Sequence, residues 1–206
     1  MQTELDHLVV VAPTLDSGLD HVERALGRRL PPGGRHPLMG TWNHVARIGP
    51  AVFLEVIAVD PLAPPPGRPR WFGLDIAPSA PRLAHWVIRT RAMAAVYPRL
   101  PPSVGPAIPV TRGGLRWHLT VPADGALPEG GAFPSVIEWA EGSLPPAEMP
   151  DIGLRLDRLV VAAPAADRLA SLLAPVFDDP AVVLEPAAEV RLTAEFTTPD
   201  GPRVLV

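Results

Sequence analysis

The 206-residue chain has no cysteine, which excludes disulfides, thiolate metal ligands and cysteine nucleophiles. It also lacks an excess of positive charge, with 18 basic against 22 acidic residues. A formal net charge of −4 gives no basic surface for phosphate, so no nucleic acid is expected as a partner. No apolar run approaches the length that spans a bilayer, so no membrane partner is expected either. The first residues, Met1-Gln2-Thr3-Glu4, lack the basic start and apolar stretch of a secretory leader, and the expected location is cytoplasmic. What is present is globular in character: 47% apolar and 19% charged residues, enough to bury a substantial core. The 29 prolines, with frequent alanine, arginine and glycine, suggest rigid loops and a GC-rich, bacterial coding sequence.

One stretch recurs. Asp6-His7-Leu8-Val9-Val10-Val11-Ala12 is followed by Ala84-His85-Trp86-Val87-Ile88-Arg89-Thr90 and then by Asp157-Arg158-Leu159-Val160-Val161-Ala162-Ala163. Each reads as a buried, β-branched strand with a helix-like segment close behind. Positions 7 and 85 are 78 apart and positions 85 and 158 are 73 apart, a period that marks a repeated supersecondary unit. The first two copies place histidine where the third has arginine.

In the first unit, residues 1–60, Leu15, Leu19, Val22 and Leu26 make an amphipathic helix with Thr14 as N-cap and Gly27 at its end. Pro31 to Pro37 carries every turn signal, with room for one short strand, and strands follow at Gly40–Ile48 and Ala51–Val59. Residues 61–82 form a proline-rich linker that packs down through Trp71 and Phe72. The second unit, residues 83–142, has a short helix ended by Pro98, a hairpin turning at Gly113-Gly114, and a last strand through Ser135-Val136-Ile137-Glu138-Trp139-Ala140. The third, residues 152–206, is a shorter β-α-β-β-β copy with a structural role, expected to cover sheet edges within the chain; a monomer or a homodimer follows.

Strand alternation puts Leu5, His7, Val9 and Val11 on one face, and likewise Phe53, Glu55 and Ile57. His85, Val87 and Arg89 share a face, as do Val136, Glu138 and Ala140. If two units pair with approximate twofold symmetry, His7, Glu55, His85 and Glu138 converge. Two imidazoles and two carboxylates suit a divalent ion with positions left for water or substrate. A lone histidine at a strand start, or a lone glutamate in an apolar strand, is more often a hydrogen-bonded or edge residue; four in matching positions of a repeat are not independent.

The repeated β-α-β-β-β unit, with histidine in each first strand and glutamate in each last, resembles the vicinal oxygen chelate superfamily. Asp6-His7-Leu8-Val9-Val10, Gly33-Gly34-Arg35-His36-Pro37, Gly40-Thr41-Trp42-Asn43 and Phe53-Leu54-Glu55-Val56-Ile57 resemble its glyoxalase-like proteins. The resemblance implies an α+β fold in which paired modules form a curved mixed sheet around a cup, with helices outside. It also implies a divalent metal (Mn, Fe, Ni, Zn or Co) on His7, Glu55, His85 and Glu138, with a small oxygenated metabolite chelated through two oxygens. A carboxylate at both Glu55 and Glu138 favours proton transfer of lyase or isomerase type, one glutamate serving as base. Expected substrate contacts are His36, Asn43, Trp86, Arg89, Arg116 and His118. The alternatives are a metal-free small-molecule-binding protein of the same fold, or an extradiol-type dioxygenase.

Overall fold

Helix α1 (Leu15–Leu26) shows how closely the sequence dictates the local structure. Its buried side chains are Leu15, Leu19, Val22 and Leu26, the apolar stripe read from the spacing, together with Gly18. The Thr14 side chain accepts the Ser17 amide at 3.2 Å and Ser17 reciprocates, while Gly27 ends the helix in the left-handed region at φ 70°. Gly18 presses the helix onto the sheet: a Cβ there would meet Val56 Cγ1 at 2.6 Å.

A computed structural model describes residues 3–76, 78–140 and 148–206; Met1, Gln2 and the end of the second unit, 141–142, lie outside the described residues. The first unit runs β1 (Thr3–Val11), α1, β2 (Pro32–His36), β3 (Thr41–Arg47) and β4 (Phe53–Val59). The Gly-rich segment expected to be mostly loop is therefore an edge strand. The second runs β5 (Arg82–Thr90), α2 (Met93–Val96), β6 (Ala107–Arg112), β7 (Leu115–Thr120) and β8 (Ser135–Trp139). Together they make one mixed eight-stranded sheet in the order β2-β3-β4-β1-β5-β8-β7-β6. In each unit the first strand pairs parallel with the last, and β1 and β5 pair antiparallel at the centre. This is the curved α+β cup anticipated from the repeat, with its edge strands β2 and β6 brought into contact.

The third unit runs β9 (Arg155–Ala163), α3 (Ala166–Leu173), β10 (Val182–Pro186), β11 (Arg191–Thr198) and β12 (Gly201–Leu205). Its element order matches the other two, but its sheet order is β10-β9-β11-β12, with β9 beside the strand that follows the helix. It lies against the convex side of the large sheet rather than along its edges. Trp86 meets Phe177 edge-on at 5.3 Å, and α1 packs against β12. The larger core, including Leu8, Trp86, Ile88, Phe177 and Phe196, fills that layer, while Val9, Val87, Trp117, Leu119 and Ile137 form a second core on the concave side.

Two irregularities in the central pair decide which side chains reach the cup. Leu5 pairs with Ile88 and His7 with Val87, which leaves Asp6 as an extra residue on β1. Val9 pairs with His85 and Val10 with Leu83, which leaves Ala84 extra on β5. Each is a β-bulge immediately before a histidine, and a bulge re-aims the residues around it. Leu5 thus joins the convex-side core, against the expectation that it shares a face with His7.

Candidate functional site

The cup encloses about 430 Å³ of empty space counted to its open mouth. Its polar wall comes from the first unit. Asp6, fully buried, accepts His7 Nδ1–H at 2.6 Å and Trp139 Nε1–H at 3.0 Å. The bulge places Asp6 and His7 so that the carboxylate fixes the imidazole, leaving Nε2 directed at Glu55 Oε2, 3.7 Å away. Phe53 stacks on the same imidazole at 4.4 Å. Asn43 donates its amide N–H to the other Glu55 oxygen. His7 Nε2 and Glu55 therefore confront a single space as two proton acceptors.

Arg112 reaches this wall from edge strand β6. Its Nη1 donates to His36 Nε2 and to Asn43 Oδ1, each at 3.0 Å. His36 then carries its proton on Nδ1 and gives it to Thr41 Oγ1 at 3.1 Å. Burial pushes His36 down to about 3, with the positive Arg112 and the nearby His7 ring, which disfavours a second charge, adding to the effect. Burial likewise lowers Arg112, with Glu55 opposing, but a guanidinium starts so high that it stays charged. The two glycines of the sequence motif make room: a Cβ on Gly33 would lie 2.3 Å from Asn43 Oδ1, and one on Gly34 would lie 3.1 Å from Arg112 Cδ. The opposite wall is apolar, built from Trp71, Phe72, Trp117, Leu119, Ile137 and Trp139.

The pseudo-twofold axis explains the asymmetry. The central pairing relates His7 to His85 and Val9 to Val87. Glu55 lies beside Val9 on β4, and Ser135 lies beside Val87 on β8, so the counterpart of Glu55 is Ser135. Followed outward, Asn43 corresponds to Leu119 and His36 to Val110. The bulge residue Asp6 corresponds to Ala84. Apart from His7, whose counterpart is His85, each polar side chain that the first unit gives to this wall has an apolar or shorter counterpart in the second.

The predicted metal set does not assemble. His7 and Glu55 come together as expected. Glu138 points to the convex side, where Oε1 accepts the Met93 amide at 2.8 Å and caps the short helix α2. Ser135 N–H and its hydroxyl lie 3.1 and 2.9 Å from His85 Nε2 and occupy it as an acceptor. Among the described residues His85 Nδ1 has no hydrogen-bond partner of good geometry, and position 84 carries no acid to receive it. Burial, with His7 nearby and the Gly131 backbone opposing, pushes His85 down to about 3. Among the described residues no group of three or more His, Cys, Asp or Glu side chains is placed to hold an ion. A permanent cation, Arg112, already faces Glu55. This donor set does not fit the divalent centre that the fold implies.

Of the six expected substrate contacts, His36 and Asn43 line the cup. Trp86 is buried on the convex side, donating to the Ala132 carbonyl at 3.0 Å. Arg116 and His118 are exposed on the outer face of β7. Arg89 serves the scaffold, donating to the Leu5 and Ala51 carbonyls and standing 3.7 Å from Asp6. Sequence reasoning missed Arg112 and the aromatic wall. The signal for Ser135 was available: Phe53-Leu54-Glu55-Val56-Ile57 aligns with Phe133-Pro134-Ser135-Val136-Ile137, matching Phe, Val and Ile.

Several solved structures are similar to this chain. A hypothetical protein from Staphylococcus aureus is similar at TM-score 0.64 and 14% identity, covering 93% of this chain and 88% of its own. A methylmalonyl-CoA epimerase from Streptomyces coelicolor is similar at TM-score 0.44 and 15% identity, over 70% of this chain and 98% of its own. The epimerase from Mycobacterium tuberculosis is similar at 0.41 and 17%, over 66% and 85%. No curated protein matches the sequence. The model for the glyoxalase-like domain matches residues 5–177, which spans both modules of the cup, and the chain belongs to the glyoxalase-like domain family.

Proposed function

We propose that the cup binds a small oxygenated anion and moves a proton on it without a metal, a reaction of lyase or isomerase type. The observation that carries this reading is the chain Asp6–His7–Glu55 on one wall with the Arg112 guanidinium beside it. Arg112 supplies fixed positive charge where a carboxylate or a developing enolate oxygen would lie. His7 Nε2 or Glu55 takes the proton from the carbon next to a carbonyl. The C–H electron pair moves to the oxygen facing Arg112, and return of the proton at another position or face completes the isomerisation. Asp6 holds the tautomer that leaves Nε2 free, and Trp139 holds Asp6. The aromatic wall receives the apolar body of the same molecule, which also supports a second reading, sequestration without turnover.

Proton NMR in D₂O tests the proposal on a panel of small 2-oxo and 3-hydroxy acids in the presence of EDTA. Exchange of the carbon-bound proton is expected with at least one acid. It should fall at least a hundredfold in Glu55→Gln and His7→Gln, with binding retained. Binding without exchange in the wild type leaves the sequestration reading; exchange abolished by EDTA overturns the metal-independent mechanism.

A further inference from the structure

Phe72 holds a backbone that side chains rarely adopt, φ 58° and ψ 25°, in the segment between the two modules. Such outliers in bulky residues persist only where the surroundings enforce them, and they cluster at ligand clamps. The ring is a shared wall. On one side it lines the cup; on the other it lines a groove with about 1060 Å³ of empty space counted to its open mouth. That groove is mainly apolar, with Val11, Pro81, Ala126 and Leu127 in its lining and Arg82 and Ser79 among its few polar side chains. Behind the ring lies His85, its centroid 5.4 Å away, completely buried and with Nδ1 unpartnered. Ser135 occupies Nε2, so the proton sits on Nδ1, which makes no hydrogen bond of good geometry among the described residues, the Gly131 backbone being the one polar group near the ring that favours its protonation. A buried donor left unpaired is costly and needs an explanation.

We propose that Phe72 is a movable partition, and that cup and groove are two ends of one binding site for an aliphatic carboxylate carrying an oxygen along its chain. The carboxylate sits at Arg112, the chain passes where the ring now stands and runs into the groove, and the chain oxygen accepts the Nδ1–H of His85. The inference rests on the reading of the cup as an anion site. Displacing the Phe72 segment with its ring lets the backbone leave the left-handed conformation and opens a route by which His85 gains a partner from a ligand.

The test is calorimetric titration with butyrate, octanoate, 4-oxo-octanoate and 5-oxo-octanoate. The wild type should bind octanoate at least tenfold tighter than butyrate, and one oxo isomer at least fivefold tighter than octanoate. Phe72→Gly, which suits the left-handed backbone, should tighten octanoate about tenfold and leave butyrate within threefold. Ala126→Trp, which fills the exposed groove, should bring octanoate down to the affinity of butyrate without changing butyrate. His85→Phe should erase the advantage of the oxo isomer. Octanoate binding indifferent to both Phe72→Gly and Ala126→Trp overturns the partition, and oxo isomers no tighter than octanoate overturn the role of His85. Butyrate binding that survives Arg112→Met, or no binding of butyrate at all, instead places the failure in the reading of the cup.

Discussion

Asp6 and Arg112 are the two residues on which the cup depends, and they differ in how visible they were. Asp6 stood beside His7 in the sequence, but strand alternation assigns neighbours to opposite faces, so only the bulge reveals it as the partner of the imidazole. Arg112 sits at a hairpin end beside Gly113-Gly114, where an arginine ordinarily extends into water. Nothing in the local pattern says that β6 curls round to meet β2. Arg112→Met should weaken binding of a small carboxylate tenfold to a hundredfold, the range for a lost charge-assisted bond at about 1.5–3 kcal/mol, measured by calorimetry. Asp6→Asn keeps the shape but presents an amide to His7 Nδ1. Proton-exchange turnover should fall far more than ligand affinity, and equal losses in both would show that Asp6 serves binding only.

At the scale of elements, the strands and helices were legible because apolar spacing and caps act locally. The four-ligand site was not, because its premise was an alignment of two carboxylates. Glu55 and Glu138 look equivalent by chemistry, yet strand pairing matches Glu55 to Ser135. Glu138 is one position out of phase with the concave face, since its neighbours Ile137 and Trp139 line the cup. The correct register predicts a gain of function. Ser135→Glu combined with Arg112→Met places a second carboxylate in the cup, takes the hydroxyl away from His85 Nε2 so that only the backbone amide of position 135 competes for it, and removes the competing cation. The double variant should bind Mn²⁺ or Zn²⁺ in calorimetry and gain thermal stability from it, whereas the wild type should do neither. A folded double variant without metal affinity would refute the pairing argument. Packing gives a simpler test on α1. Gly18→Ala forces a methyl onto Val56 and Ala12 and should cost about 1–3 kcal/mol in denaturant unfolding, the usual penalty for overpacking.

For the whole molecule, the concave side is a second interior with its own electrostatics, and this sets the response to acid. His36 and His85 are both held neutral, down to about 3, by burial. His36 faces Arg112 and His7, and His85 faces His7, so neither meets a carboxylate that would draw a proton in. In the unfolded chain each would titrate near the ordinary histidine value of about 6.5. Between these limits the unfolded state binds protons that the folded state refuses, so unfolding becomes easier as pH falls. Above about 6.5 the two histidines contribute no slope; below about 3 both states are protonated and the slope ends. Asp60 and Glu129, paired with Arg35 and Arg168, have lowered values and lose their stabilisation only as pH falls through the carboxylate range near 4. The window from about 6.5 to 4.5 therefore belongs mainly to the buried imidazoles. Each pKa unit is worth about 1.4 kcal/mol, so two such groups withdraw several kcal/mol across their full range, enough to matter against a typical total of about 5–15 kcal/mol. Urea unfolding at pH 7.5, 6.0 and 5.0 should show stability falling steadily, with the fall roughly halved in His36→Gln. A flat profile over that window, or a His36→Gln profile parallel to wild type, would mean that the cup admits protons and water freely and that its histidines are not the sealed neutral groups described above.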